Sequence, residues 1–537
     1  MQNRWHRPLR PWTAYLLNID MTFPMYFEKM VFYCLSDVLI LVLLILLILG
    51  KKHLRDEACN CKKNRYFFFF ITSALISLLL SNHSHFGLQY YRLFQLFWGG
   101  LIAFIISYGL QKTSTKTILI LTARSTVLAS IFQSFVAIIQ YFSQKPLGLK
   151  KLGEMNFAAA IPFPSSIWVS DGSRWIFDRL RAPAGYHHIA RAYGTFADPN
   201  ILGGFMFFAL VCSMYLFLQE QNSWIKRSVF LFIPLQMFVL FVTYSRSAFF
   251  AFLIAASVFI AMEWVRIKKE NKEPWKTFFK PLKHMSLMLA FSLCLSVTLL
   301  YPQLSERGGF LLEGMEKIFT VKSLLLSFPI ILFILVRKKM RKLFQFLKGN
   351  RRVLISGFGV VLAAILYAST PMIKKHFYDE GYKNTLAYQS DQERIVYQNA
   401  AFAIIRDHPF FGVGFNNFSL EMKKYTHGSV PEEFSHPVHN IFLLIASETG
   451  LIGLSFFCFF IGSIFWSMAR GGLSLENATL TSVLIGYVFI GGCSHYFLTW
   501  QNGRLMLFLL LGLIHHAGIW KSWTLSNVFK ASSKMTI

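Results

Sequence analysis

The chain has 537 residues, of which 54% are hydrophobic, 17% aromatic and only 15% charged, with a formal net charge of +28. A soluble domain carries about 25% charged residues, so the composition weighs against one. The basic excess sits in short loops between apolar runs, where loop orientation and anionic headgroups account for it better than nucleic acid does.

Residues 1–29 carry Arg4, Arg7 and Arg10 and read as an N-terminal segment lying in the membrane interface. "MVFYCLSDVLILVLLILLILG" (Met30 to Gly50) is the first run long enough to cross a bilayer, which takes about 20 apolar residues. It is too long for a signal peptide, and no small-residue cleavage site follows it. Spans at 66–81, 93–110 and 116–141 complete an N-terminal transmembrane region, 30–141. A loop follows at 142–200. The central region, 201–369, holds spans at 201–218, 226–244, 247–264, 285–301, 320–336 and 353–369. A second large loop, 370–438, contains an amphipathic helix. The C-terminal region, 439–520, holds spans at 440–468, 478–499 and 503–520, and 521–537 is a cytoplasmic tail. The expectation is an all-α polytopic membrane protein with about 12–13 transmembrane helices.

Orientation follows from the basic loops. "KKHLRDEACNCKKNR" (51–65), "RIKKENKEPWKTFFKPLK" (266–283) and "RKKMRKLFQFLKGNRR" (337–352) fall on one side by strict alternation, and positive loops face the cytoplasm. The loops 142–200 and 370–438 are then extracytoplasmic. The seven cysteines give no disulfide framework and no zinc spacing. They read as small hydrophobes and free thiols.

Three segments bring polar groups to the outer ends of spans. In "RAYGTFADPNILGG" (Arg191 to Gly204), Asp198-Pro199-Asn200 reads as a turn and helix start, with Pro199 suited to the first turn. In "TYSRSAFF" (Thr243 to Phe250), Arg246 sits in a tight link between two spans. In "HPVHNIFLLIASETG" (His436 to Gly450), two histidines and an asparagine head an apolar run. A charge near hydrocarbon needs a reason. For one arginine, snorkelling to headgroups suffices. Arg191, Arg246 and His439 all reach one membrane level, and two guanidinium forks suit a pyrophosphate.

On a continuous helix, His439, Leu443, Ala446, Gly450 and Gly453 share a face, which the glycines would let pack closely on a neighbouring helix. Glu448 lies about 13 Å deeper and half a turn away, so it reads as a structural carboxylate bonded to another helix. Three roles are open to His439: general base, metal ligand or structural donor. His436, His439 and Asp198 assemble into a metal set on paper, but no HxxxH or HExxH spacing supports it. His436 then reads as a loop histidine or a support for the site.

These residues resemble the O-antigen ligase and polymerase family of bacterial envelope glycosyltransferases. The ligase pattern is His, then Asn, Ser or Gln, nine residues, Gly, two residues, Gly, often Thr. Here it runs His439, Asn440, nine residues, Gly450, Leu451-Ile452, Gly453, with Leu454 departing from the Thr. "DQERIVYQNAAFAIIRDHPFFGVGFNNF" (Asp391 to Phe418) resembles the family's external helix and its turn, and "RAYGTFADPN" and "YSRSA" resemble its two arginine segments. The resemblance implies a multi-span fold shared with other lipid-linked-sugar transferases. It also implies a glycan donor on undecaprenyl pyrophosphate, an acceptor hydroxyl on lipid A-core or a growing polysaccharide, and no cofactor or metal. By it, Arg191 and Arg246 hold the pyrophosphate and His439 activates the acceptor. Arg394, Arg406, Asn440 and His436 are candidates for donor or acceptor binding, and a solvated helix face is the plain alternative for Arg394 and Arg406. The implied setting is the bacterial inner membrane, with the site facing the periplasm or cell exterior. Transfer to protein Ser/Thr is the alternative within the family. A polytopic transporter is the alternative outside it, which paired external loops and rim charges argue against.

Overall fold

The computed structural model describes residues 65–81, 86–109, 113–143, 146–149, 152, 154, 191–196, 198–270, 386–426 and 436–517. The expected spans at 30–50, 285–301, 320–336 and 353–369, the basic loops, the tail and most of 142–200 lie outside them. The described residues form twelve helices and no strand: α1 (Arg65–Leu80), α2 (Phe86–Gly109), α3 (Thr115–Ser143), α4 (Pro199–Gln219), α5 (Ser223–Val242), α6 (Arg246–Glu270), α7 (Leu386–Asp407), α8 (Phe418–Tyr425), α9 (Ile441–Arg470), α10 (Leu475–Cys493), α11 (Tyr496–Thr499) and α12 (Gln501–His516). Six of these, α3, α4, α5, α6, α9 and α10, are long and apolar enough to cross a membrane. The chain divides into two compact units. The first contains α1–α6, α7 from Arg394 onward, and α8–α12; of the second, only 386–393 are described.

The first unit is built round α4, which packs on α3, α5, α6 and α10. It is apolar on every face and almost wholly buried, as a central helix must be. Around it, α6 lies along α10, α12 along α2 and α9 along α1. The outward faces are apolar as well: Leu128 is 70% exposed, Leu231 68% and Phe459 61%. Soluble proteins do not present such surfaces on several helices at once, and lipid does accept them. The chain is a multi-pass membrane protein.

Polar groups inside the bundle tie helices together. Gln236 of α5 accepts from Ser213 of α4 (2.9 Å) and donates to Ser130 of α3 (2.7 Å). Such cross-helix bonds stand in for the hydrophobic drive that lipid does not supply. At the C-cap of α4, Arg124 of α3 pairs with Glu220 at 2.6 Å.

Two expectations need correction. The span read as 478–499 ends as a helix at Cys493; Ser494 is extended, α11 is a single turn, and α12 begins only at Gln501. The helix read as continuous through His439 and Gly450 is neither. Asn440 is its N-cap, so His439 precedes it, and Gly450 breaks it with φ 69°. A Cβ on Gly450 would collide with the Phe410 carbonyl of the turn after α7.

Candidate functional site

The break at Gly450 anchors the outer elements around α9. Interrupting a helix strands carbonyls on one side and an amide on the other. Ser447 O accepts from Val413 N (3.0 Å), and Glu448 O accepts from Gly414 N (3.0 Å) and Ser77 Oγ (2.6 Å). Leu451 N donates to Pro409 O at 2.7 Å. The turn 408–414 is therefore bonded into α9, and Gly412, at φ 66°, lies where a Cβ would strike the Glu448 carbonyl. The Glu448 carboxylate accepts from Phe418 N at the start of α8 (3.4 Å). These bonds fix α7 and α8 against the N-terminal part of α9.

The first cluster of functional groups lies at the start of α4. Asp198 caps the helix by accepting from Asn200 N (2.6 Å), with Pro199 in the first turn. The preceding segment is held by two glutamines of α3: Gln140 bonds Gly194 N and O, and Gln133 bonds Thr195. Arg191 donates from Nε to Thr243 O (2.7 Å) and from NH2 to Asn200 Oδ1 (2.8 Å), stitching the end of α5 to the start of α4. Tyr244, with φ 50°, turns the chain so that Arg246 opens α6. Arg246 is exposed and lies within electrostatic reach of Arg191. Burial pulls the Arg191 pKa down, the Asp198 carboxylate opposes it, and the guanidinium stays charged at biological pH.

The second cluster surrounds His439. Its ring lies parallel to Tyr397 of α7 (centroids 6.3 Å, 7°) and edge-on to His495 (5.0 Å, 74°). Its Nδ1 is buried and has no hydrogen-bond partner. Burial depresses the imidazole pKa well below 6.5, and His495, Arg394 and His436 add to that. The neutral form of His439 is thus favoured beside the fixed positive charge of Arg394. Asn440 is committed to the backbone: Oδ1 accepts from Phe442 N (2.9 Å) and Leu443 N (3.1 Å), and Nδ2 donates to Gly492 O (3.0 Å). Arg406 sits at the end of α7 with its side chain 81% exposed, beside Asp407.

Sequence reasoning missed His495. It lies in "GGCSHYFLTW" (491–500), where aromatic residues sustain an apolar run through a broken backbone. The Gly491-Gly492 pair followed by Ser494 was the available signal. His495 Nδ1 is 2.6 Å from Thr499 Oγ1. The short link is fastened from both sides: Arg92 of α2 donates to Thr499 O (2.7 Å), Arg504 of α12 to Leu498 O (2.8 Å), and both to Gln95 Oε1. Burial first, then His436 and Arg92, bring the His495 pKa down to about 3.

The structure therefore brings Arg191 together with Arg246, and His439 with Arg394 and His436. Tyr496 joins the two groups. It follows His495, feels the Asp198 carboxylate, and sets its hydroxyl against Gly204, where a Cβ would strike it. Below the histidines, an apolar crevice runs between α1, α9, α10, α11 and α12, lined by Phe70, Ile441, Phe457, Tyr487, Phe497 and Leu511 among others. Among the described residues, no three His, Cys, Asp or Glu side chains form a group able to hold a metal ion.

The family model described as O-Antigen ligase matches residues 320–458. That stretch takes in α7, α8 and the first half of α9, with Arg394, His436, His439, Gly450 and Gly453. No curated protein matches the chain.

Proposed function

We propose that this chain, which carries an O-antigen ligase domain at residues 320–458 and so stands in the O-antigen ligase/polymerase family, is an integral membrane glycosyltransferase. It transfers a glycan from undecaprenyl pyrophosphate to an acceptor hydroxyl, on lipid A-core or a growing polysaccharide, at the extracytoplasmic face of the inner membrane. The observation that carries the reading is the His439 imidazole: half-buried, with a buried, uncommitted Nδ1, and within electrostatic reach of Arg394 and His436. Such a group accepts a proton in a place that attracts phosphate.

In this reading His439 takes the proton of the acceptor hydroxyl while its oxygen attacks the anomeric carbon. The bond from that carbon to the pyrophosphate breaks, and its electron pair leaves with the lipid pyrophosphate. Arg191 and Arg246 stabilise the charge that develops on the leaving group. Arg191 arrives preorganised by Thr243 and Asn200, whereas Arg246 is exposed at the start of α6. Arg394 stands close enough to His439 to meet donor or acceptor phosphate beside it. The apolar crevice below Asn440 suits the polyprenyl chain.

The test is glycan transfer from a purified lipid-linked donor, in the presence of a chelator, with glycan profiling of a deletion strain alongside. Transfer in chelator, together with missing or unattached polymer in the strain, supports the reading. A deletion strain with an unaltered envelope glycan would overturn it.

A further inference from the structure

His495 belongs to no part of that reaction, yet its ring is held firmly in place. It stands edge-on to His439 at 5.0 Å, whereas Tyr397 lies parallel to His439 at 6.3 Å, so two rings at right angles define the imidazole's plane. The link that carries His495 is short, and helices on both sides hold it through Arg92 and Arg504. Thr499 Oγ1 lies 2.6 Å from His495 Nδ1 and 3.2 Å from the His495 carbonyl oxygen. That short bond fixes the ring's rotation whichever of the two atoms donates.

We propose that His495 is a positioning residue for the transfer reaction: its ring holds the His439 imidazole in one orientation and keeps water from the space beside it, so that His439 works as an uncharged base. The inference rests on His439 being the base of the proposed glycosyltransferase. The charged and titratable groups facing the pair are Arg394 and Tyr397 from α7, His436 from the segment before α9, and Arg92 from α2. The fixed cations among them, Arg394 and Arg92, disfavour positive charge on the two imidazoles. On proton transfer the hydroxyl O–H bond breaks and the proton goes to His439. His495 takes no proton in this step and keeps its Nδ1 bond to Thr499 Oγ1.

Two substitutions separate this role from a plain structural one. His495→Phe keeps a ring edge-on to His439 and loses the Thr499 bond. His495→Asn keeps a hydrogen-bonding group at the Nδ1 position and loses the ring. The measurements are thermal stability in detergent, kcat and KM for a purified lipid-linked donor, the pH–rate profile, and the pH dependence of diethylpyrocarbonate labelling at His439. Loss of orientation in His495→Asn lowers kcat about 10- to 100-fold with little change in donor KM. Water entering beside His439 moves both its labelling midpoint and the acid limb of the rate profile upward, toward 6.5. His495→Phe keeps more of the rate and shifts neither. The reverse order, with Asn active, Phe inactive and both profiles unmoved, would overturn the proposal and leave His495 as a loop support. If wild type transfers no glycan yet the labelling midpoint moves in His495→Asn, the ring pairing stands and the glycosyltransferase reading fails.

Discussion

The arginine rim and the histidine pocket face the same problem, charge at the edge of a membrane, and solve it in opposite ways. Arg191 is stitched into the backbone through Thr243 and Asn200, and Arg246 beside it is exposed. His439 is the reverse: its ring is packed between Tyr397 and His495, and its buried nitrogen is left without a partner. A guanidinium keeps its charge in either setting, so it can be used as scaffold and receptor together. An imidazole can accept a proton only if its lone pair is uncommitted and not already protonated, and surroundings that oppose the charged form keep it so at some cost in basicity. Charge reception tolerates water, and proton abstraction by a tuned base benefits from its exclusion.

The sharpest way to break the contrast is to remove the proposed base, His439. His439→Asn preserves size and polarity but cannot take a proton at neutral pH. Transfer should fall about 100- to 10,000-fold with thermal stability unchanged. In wild type the rate should drop as pH falls through the folded pKa of His439, which lies below 6.5. Stability follows the same sign: unfolded His439 binds protons more readily than folded His439, so acid below about pH 6.5 favours unfolding, and the asparagine variant should lose part of that sensitivity. Near-wild-type transfer by His439→Asn would end the comparison.

The arginines should divide. Arg246→Ala should lower donor affinity about 10- to 100-fold, more strongly at low salt, and its exposed side chain should cost less stability than that of Arg191. Arg191→Ala should show the same catalytic loss and also cost about 1.5–3 kcal/mol of stability, because two charge-assisted bonds to Thr243 and Asn200 go with it. Equal stability of the two variants, measured by thermal unfolding in detergent, would mean that Arg191 is not a scaffold.

Gly450→Ala tests the junction that carries α7 to His439. An alanine at φ 69° costs about 1–2 kcal/mol, and the clash with Phe410 adds to it. Because the turn 408–414 is bonded to Ser447 and Glu448, the damage should extend to proteolytic nicking after α7. Gly453→Ala meets only side chains, Thr449 and Ser73, and should cost less. Comparable expression and melting of both variants would remove the distinction.

Local signals were the legible ones. Asp198-Pro199 announced a helix start because cap chemistry lies within three residues, and the apolar runs announced helices because length and composition suffice. Gly450 was legible as special, but not as a break, because the groups that receive its stranded carbonyls and amide come from residues 409–414, far earlier in the chain. His495 was hidden for a related reason. A hydropathy run averages over Tyr496, Phe497, Leu498 and Trp500, whose rings and chain are as apolar in a link as in a helix. Its fastening by Arg92 and Arg504 is a tertiary fact with no sequence spacing to betray it.

The smallest expected effect concerns two arginines that sequence treats alike. Arg394 and Arg406 lie on one helix twelve residues apart, both candidates for sugar-phosphate binding. Arg394 acts electrostatically on His439, while the Arg406 side chain is 81% exposed at the helix end, where a cation also complements the carbonyl dipole. Arg406→Gln should therefore change transfer less than about twofold and stability by no more than about 0.5 kcal/mol, as surface substitutions do. Arg394→Gln removes a cation that disfavours protonated His439, so it should raise the apparent pKa on the acid limb and lower the rate. Matched kinetics for both variants across pH 5 to 8 decide the point. A large loss in Arg406→Gln with an unshifted Arg394→Gln would move the ligand-facing part of α7 to its far end and detach it from the histidine pocket.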